Sequence, residues 1–107
     1  MKNIIVTGGS RGIGECLVEN LAKDGHKVIL NYNKSKKNAE QIKAKLKEQG
    51  INIEVFKADV SKREEVKKLI KFGIKTMGNI DVLINNAGIA KLQMFQDVTE
   101  ESWEEMM

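Results

Sequence analysis

With 107 residues, 18 basic against 15 acidic side chains and 41% apolar residues, the chain is long enough for one core and too short for two domains. The mixture excludes intrinsic disorder, and the longest apolar runs, Val28 to Leu30 and Val82 to Ile84, are strand-sized, which argues against a membrane span. Met1-Lys2-Asn3 leads straight into Ile4-Ile5-Val6 without the pattern of a signal peptide, so a cytoplasmic location is expected. Cys16, the single cysteine, has no intrachain partner and reads as core filler. Lysines crowd the stretch from Lys34 to Lys75, but Glu40, Glu48, Glu54, Glu64 and Glu65 interleave with them. Solvated helix faces fit this pattern better than a nucleic-acid stripe.

The run Ile4 to Thr7 halts at Gly8-Gly9 and predicts a strand buried on both faces. From Gly12, the recurrence of Ile13, Leu17 and Leu21, widened by Cys16 and Ala22, predicts a helix stopped by Gly25. Lys27 to Tyr32 reads as a second buried strand. Ala39, Ile42 and Leu46 mark one face of a lysine-rich helix ending near Gly50. Ile51 to Ala58 alternates Ile51, Ile53 and Val55 toward one side, as a third strand should.

Ser61-Lys62-Arg63-Glu64 has capping-box spacing and predicts a helix start at Ser61. Its core face would be Val66, Leu69, Ile70, Gly73, Ile74 and Met77, with Gly78 beyond its end. A fourth strand runs from Ile80 to Ile84 and closes on Asn85-Asn86-Ala87-Gly88. After a loop, Thr99 is placed to cap a further helix with Glu100 and Glu101 in its first turn. That helix has no stop signal before Met107, so the terminus is expected to be a cut rather than a natural end. Strands alternating with helices at this spacing mean βαβ units and a parallel α/β sheet with right-handed crossovers.

Between the first strand and the first helix lies Thr7-Gly8-Gly9-Ser10-Arg11-Gly12-Ile13-Gly14. A turn there presents backbone N–H groups at a helix N-terminus, the place where a dinucleotide pyrophosphate rests. Gly8 and Gly12 admit backbone angles closed to other residues and bare the turn to a ligand, while Gly14 lets helix and strand pack closely. The spacing is G-x-x-x-G-x-G rather than the G-x-G-x-x-G of the usual dinucleotide fingerprint, and alone it would be weak.

TGGSRGIG at 7–14, Asp59-Val60 after the third strand, and NNAG at 85–88 after the fourth resemble the short-chain dehydrogenase/reductase family in content, order and spacing, over the whole chain. The resemblance implies a Rossmann-type doubly wound parallel sheet with strand order 3-2-1-4. On it, residues 1–107 form the NADP-binding N-terminal half of a single domain. Within the family, the SRGIG turn, the NYNKS segment and VTEESWEEMM are most similar to bacterial reductases of 3-oxoacyl groups carried on acyl carrier protein. NADPH and an acyl-carrier-protein-linked substrate are then the implied partners, and a homotetramer the implied assembly.

An NAD-preferring site places an acid at the end of the second strand, for the ribose 2′-hydroxyl. Here Tyr32 stands at that point, followed by Asn33, Lys34 and Ser35, so nothing repels a 2′-phosphate. With Arg11 in the glycine turn, two cations and two hydrogen-bonding side chains favour NADP(H). The resemblance assigns Asp59 to the adenine edge, with Val60 offering a backbone N–H, and brings Asn86, Ala87 and Gly88 to the crevice opposite the glycine turn. Asn85 is expected either to tie strands together or to meet the ligand. The implied cofactor-binding set is thus Gly8, Gly9, Ser10, Arg11, Gly12, Ile13, Gly14, Asn33, Lys34, Asp59, Val60, Asn86, Ala87 and Gly88.

The family's reaction uses a tyrosine, a lysine four residues later, an upstream serine and an asparagine, and none of these has a counterpart here. Tyr32, the one tyrosine, lies at the ribose end of the second strand. The resemblance therefore implies a chain that retains cofactor binding without catalytic residues, and the fourth strand is expected to be an uncovered apolar edge. Two other readings stay open: a non-catalytic nucleotide-binding module, and a family member acting on another alcohol, ketone or sugar. His26 reads as a strand-entry residue, and Trp103, Met106 and Met107 as packing residues.

Overall fold

A computed structural model of the chain describes residues 1–8, 12–85 and 93–98. In chain order the elements are β1 (Asn3–Thr7), α1 (Gly12–Lys23), β2 (Lys27–Tyr32), α2 (Lys36–Glu48), β3 (Glu54–Lys57), α3 (Arg63–Met77), β4 (Ile80–Asn85) and β5 (Gln93–Val98). They form one sheet in the order β3-β2-β1-β4-β5. The strands from β3 to β4 are all parallel, in the doubly wound order expected from the sequence.

Alternation along the strands explains the layering. Ile4 and Val6 of β1, with Val28, Leu30 and Tyr32 of β2, face a layer formed by Val18 and Ala22 of α1 and Ala39, Ile42 and Leu46 of α2. Ile5 and Ile29 face the other way, toward Leu69 and Ile70 of α3. Both faces of each central strand are therefore dry, as a parallel sheet requires. Each fully buried aliphatic side chain here contributes about 1.5–3 kcal/mol of burial. On α3, Gly73 lets the helix lie close to the sheet: a Cβ there would sit 2.8 Å from Ile5 Cδ1 and 3.0 Å from Ile80 Cδ1.

Several expectations need correction. In α1 the described buried positions are Gly14, Val18 and Ala22, with Leu17 and Leu21 only partly covered, so the core stripe is centred one position after Leu17 and Leu21. Cys16 falls off that stripe and is exposed, not core filler, with Asn20 Nδ2 3.5 Å from its sulfur. The β3 ladder covers only Glu54–Lys57, although Ile51, Ile53 and Val55 do point to one core layer. Residues 93–98, expected in a loop, form β5, which pairs antiparallel with β4 from Asn85↔Gln93 to Ile80↔Val98. The β4 edge is thus covered. The expected helix capped by Thr99, and Trp103, Met106 and Met107, lie outside the described residues. Among the described residues no helix is long and apolar enough to cross a membrane.

Candidate functional site

Parallel pairing brings the carboxyl ends of four strands to one edge. Thr7 is level with Asn85, and Tyr32 with Lys57. The segments that leave this edge carry the residues singled out from the sequence: Gly8 after β1, Asn33 and Lys34 after β2, Asp59 and Val60 after β3. Gly9, Ser10, Arg11, Asn86, Ala87 and Gly88 lie outside the described residues.

Gly8 has φ 64° and Gly12 has φ 55°, the left-handed region that costs other L residues about 1–2 kcal/mol. A Cβ added at Gly12 would meet nothing within 4 Å among the described residues beyond its own neighbours. Gly12 begins α1, whose first N–H groups have no partner within the helix and carry the positive end of its dipole. Gly14 is buried, consistent with a close helix-to-sheet approach.

The end of β2 holds a residue that sequence reasoning missed. Asn31 is 2% exposed, a polar side chain inside an otherwise apolar strand. Its Oδ1 accepts from Gly8 N at 3.4 Å, while Nδ2 donates toward Ala58 O at 3.1 Å, Phe56 O at 3.2 Å and Tyr32 O at 3.4 Å. One carboxamide therefore ties the first residue of the glycine turn to the last residues of β3. The available signal was the lone asparagine in KVILNY, since a buried amide needs partners for both ends. Tyr32 is itself buried, packed with the α1 and α2 side of the core, so its side chain is not a ribose-side group. Asn33 and Lys34 are exposed just beyond it, and Ser35 begins α2 with its hydroxyl unspent on capping.

After β3 the predicted capping box is replaced by a different arrangement. The helix begins at Arg63, with Lys62 as the cap residue and no side-chain cap bond. Asp59 Oδ1 instead accepts from Ser61 N at 3.0 Å and Ser61 Oγ at 2.6 Å, and Glu65 Oε1 accepts from Asp59 N at 2.8 Å. The carboxylate that reaches back is thus Glu65 rather than Glu64, because the cap falls one residue later than the motif implied, at Lys62 instead of Ser61. The Ser61 hydroxyl first, then its N–H, and more weakly the charges of Lys62 and Lys34, hold the Asp59 carboxyl below the usual aspartate range. Ionised, Asp59 keeps Oδ2 without a hydrogen bond among the described residues. Val60 packs its side chain against the α3 layer.

A hollow of about 530 Å³ lined by Lys57, Lys62, Arg63, Glu64, Glu65 and Lys68 lies beside the start of α3. None of Gly8, Gly12, Asn33 or Lys34 lines it, so it is separate from the crevice at the strand ends. Among the described residues no cluster of side chains has the makings of a metal site.

This arrangement brings a helix N-terminus entered through left-handed glycines, a carboxylate acceptor two strands away and a lysine just past the strand between them to one edge, which together suit a phosphate-bearing nucleotide. The profile of the short chain dehydrogenases matches residues 2–107. The chain is 39% identical over 106 residues to the 3-oxoacyl-acyl-carrier-protein reductase FabG of Staphylococcus epidermidis, and 37% identical to that of Staphylococcus aureus. Both matches span 99% of this chain, and it covers about 43% of the length of either relative. Among solved structures, a short chain dehydrogenase from Burkholderia cenocepacia in complex with NADP matches at TM-score 0.76 and 35% identity, over 92% of this chain and 40% of that one. The short-chain dehydrogenase/reductase from Serratia marcescens matches at 0.78 and 30%, over 98% and 43%.

Proposed function

Because the chain belongs to the short chain dehydrogenase family, we propose that it forms the NADP(H)-binding part of a reductase of 3-oxoacyl groups carried on acyl carrier protein. The observation that carries this reading is the pair of left-handed glycines, Gly8 and Gly12, at a turn entering α1 from the sheet's carboxyl edge. There the diphosphate would meet unspent N–H groups and no Cβ. Asp59 would accept from the adenine's exocyclic amine, with the Val60 N–H beside it. Asn33, Lys34 and Arg11 would hold the 2′-phosphate, the arginine by paired charge-assisted bonds and the lysine as a point charge. Asn86, Ala87 and Gly88 would close the crevice from the β4 side.

The chemistry such a cofactor supplies when bound is hydride delivery to a carbonyl carbon. The residues of this chain bind and orient it. The proton donor and the groups that tune it have no counterpart among these 107 residues. Likeness to the FabG reductases supports the 3-oxoacyl substrate class, and likeness to the NADP-complexed Burkholderia dehydrogenase supports the cofactor.

Fluorescence titration tests the reading. Saturable binding of NADPH, tighter than that of NADH, is expected, and Arg11→Ala should cut the preference about tenfold or more. Equal affinity of the parent for the two cofactors overturns the NADP assignment, and no binding of either overturns the function.

A further inference from the structure

Asn31 belongs to no residue set recognised from the sequence, yet its carboxamide links Gly8, at the start of the glycine turn, to Ala58, just after β3. We propose that Asn31 is a positioning residue that sets the spacing between the glycine turn and Asp59, and thereby the fit of the cofactor's adenosine half. The inference rests on the NADP(H) reading of the preceding subsection.

The geometry is specific. Gly8 N and Ala58 O belong to segments 23 and 27 residues away from Asn31, and the same 2%-exposed side chain touches both. Ala58 N also donates to Tyr32 O at 2.9 Å, so the backbone already joins β2 to β3 at this level, and the side chain adds the connection to β1's exit. Nδ2 has two hydrogens for three nearby carbonyls, so its orientation is set by β3, and Oδ1 is then aimed at Gly8. Asp59 follows Ala58 directly and is held in turn by Glu65 through its own N–H. A shift of the carboxamide would therefore move the turn that meets phosphate relative to the carboxylate that meets adenine.

Asn31→Asp separates the two links. It keeps an oxygen for Gly8 N, but an ionised carboxylate faces the Phe56 and Ala58 carbonyls with nothing to donate. Measured on the full-length protein at a temperature where unfolding curves show the variant folded, its Kd for NADPH and for 2′,5′-ADP should rise about tenfold or more, the loss of one or two buried hydrogen bonds. Affinity for reduced nicotinamide mononucleotide should stay within about twofold of the parent's. The loss should shrink as pH falls and the new carboxyl gains a proton to donate, a recovery that Asn31→Leu lacks.

Unchanged affinity in the folded Asp variant overturns the proposal while leaving the cofactor reading intact. Equal weakening of both halves also overturns it, since that marks a general structural role. A parent protein that binds neither NADPH nor NADH removes the cofactor reading and this inference with it. Should the variants not fold, the parent's own Asn31 side-chain NH₂ resonances decide: they should shift on NADPH titration, and unmoved signals overturn the proposal.

Discussion

The two edges of the sheet are closed in opposite ways. At the amino edge, side chains saturate one another and the strand starts: Asp81 Oδ2 accepts from Asn3 N at 2.8 Å, Asp81 Oδ1 from Asn79 Nδ2 at 3.0 Å, and Asn3 Nδ2 donates to Asn79 Oδ1 at 2.6 Å and Met77 O at 3.2 Å. His26 Nδ1 accepts from Lys2 N at 2.9 Å, so the strand-entry histidine is a structural tie. At the carboxyl edge, Asn31, Asp59 and Glu65 spend their bonds on the backbone of turns, and α1 begins at Gly12 with its first N–H groups lacking partners within the helix. The first edge is closed by side chains, whereas the second holds its loops in place by bonds to the backbone. In doubly wound sheets ligands bind at the carboxyl edge.

Substitutions at the amino edge should therefore cost stability without touching affinity. The largest effect is expected from Gly73→Val, whose Cβ would stand 2.8 Å from Ile5 Cδ1 and 3.0 Å from Ile80 Cδ1. Overpacking of this kind costs about 3 kcal/mol, read from denaturant unfolding. Asp81→Ala follows at about 2 kcal/mol, because it strips the half-buried Asn3 N–H of its acceptor. Both folded variants should bind NADPH like the parent. A weakened affinity in either would break the division between the edges.

Gly12→Ala reverses the pattern. Among the described residues nothing beyond its own neighbours lies within 4 Å of the new Cβ, so the stability cost is chiefly the left-handed backbone, about 1 kcal/mol. The methyl group would, however, occupy the face proposed for the diphosphate, and NADPH affinity should fall about tenfold or more. A variant that loses stability and keeps its affinity would place the ligand elsewhere.

The carboxyl edge was also where the sequence was least legible. Among the described residues, periodicity placed the parallel strands and the helices between them, because burial on both faces leaves apolar runs that few other structures tolerate. It misjudged Cys16, since a residue beside the true Gly14, Val18, Ala22 stripe is indistinguishable from one on it when Leu17 and Leu21 stand next to both. It missed β5, whose QMFQDV is too polar for a doubly buried strand but suits an antiparallel edge. It read Ser61 and Glu64 as a capping box because the spacing matched, while the chain spends Ser61 on Asp59 and reaches back with Glu65. Among the site residues, Gly8, Gly12, Asp59 and Lys34 are brought to one edge. Asn31 escaped notice because its role depends on carbonyls that only the folded β3 supplies.

The smallest effect lies in the Asp59 turn, and it sharpens the comparison by pH. The folded Asp59 carboxyl titrates below its ordinary range, chiefly through the Ser61 hydroxyl. A carboxyl whose folded pKa is lowered contributes stability that is present above its unfolded pKa of about 4 and is lost as pH falls through the folded value. Ser61→Ala removes the hydroxyl and keeps the N–H bond, so the folded pKa should move back up toward the ordinary value without reaching it. Titration of the Asp59 carboxyl carbon by NMR should show that upward move, and the acid-side loss of stability, which starts near the same unfolded pKa in both, should be smaller and complete at higher pH in the variant. At neutral pH Asp59 stays ionised in both, so NADPH binding should differ only slightly. An unmoved titration would mean that the N–H alone holds the carboxylate, and the turn would then owe its charge to backbone geometry in the same way as the glycine turn across the crevice.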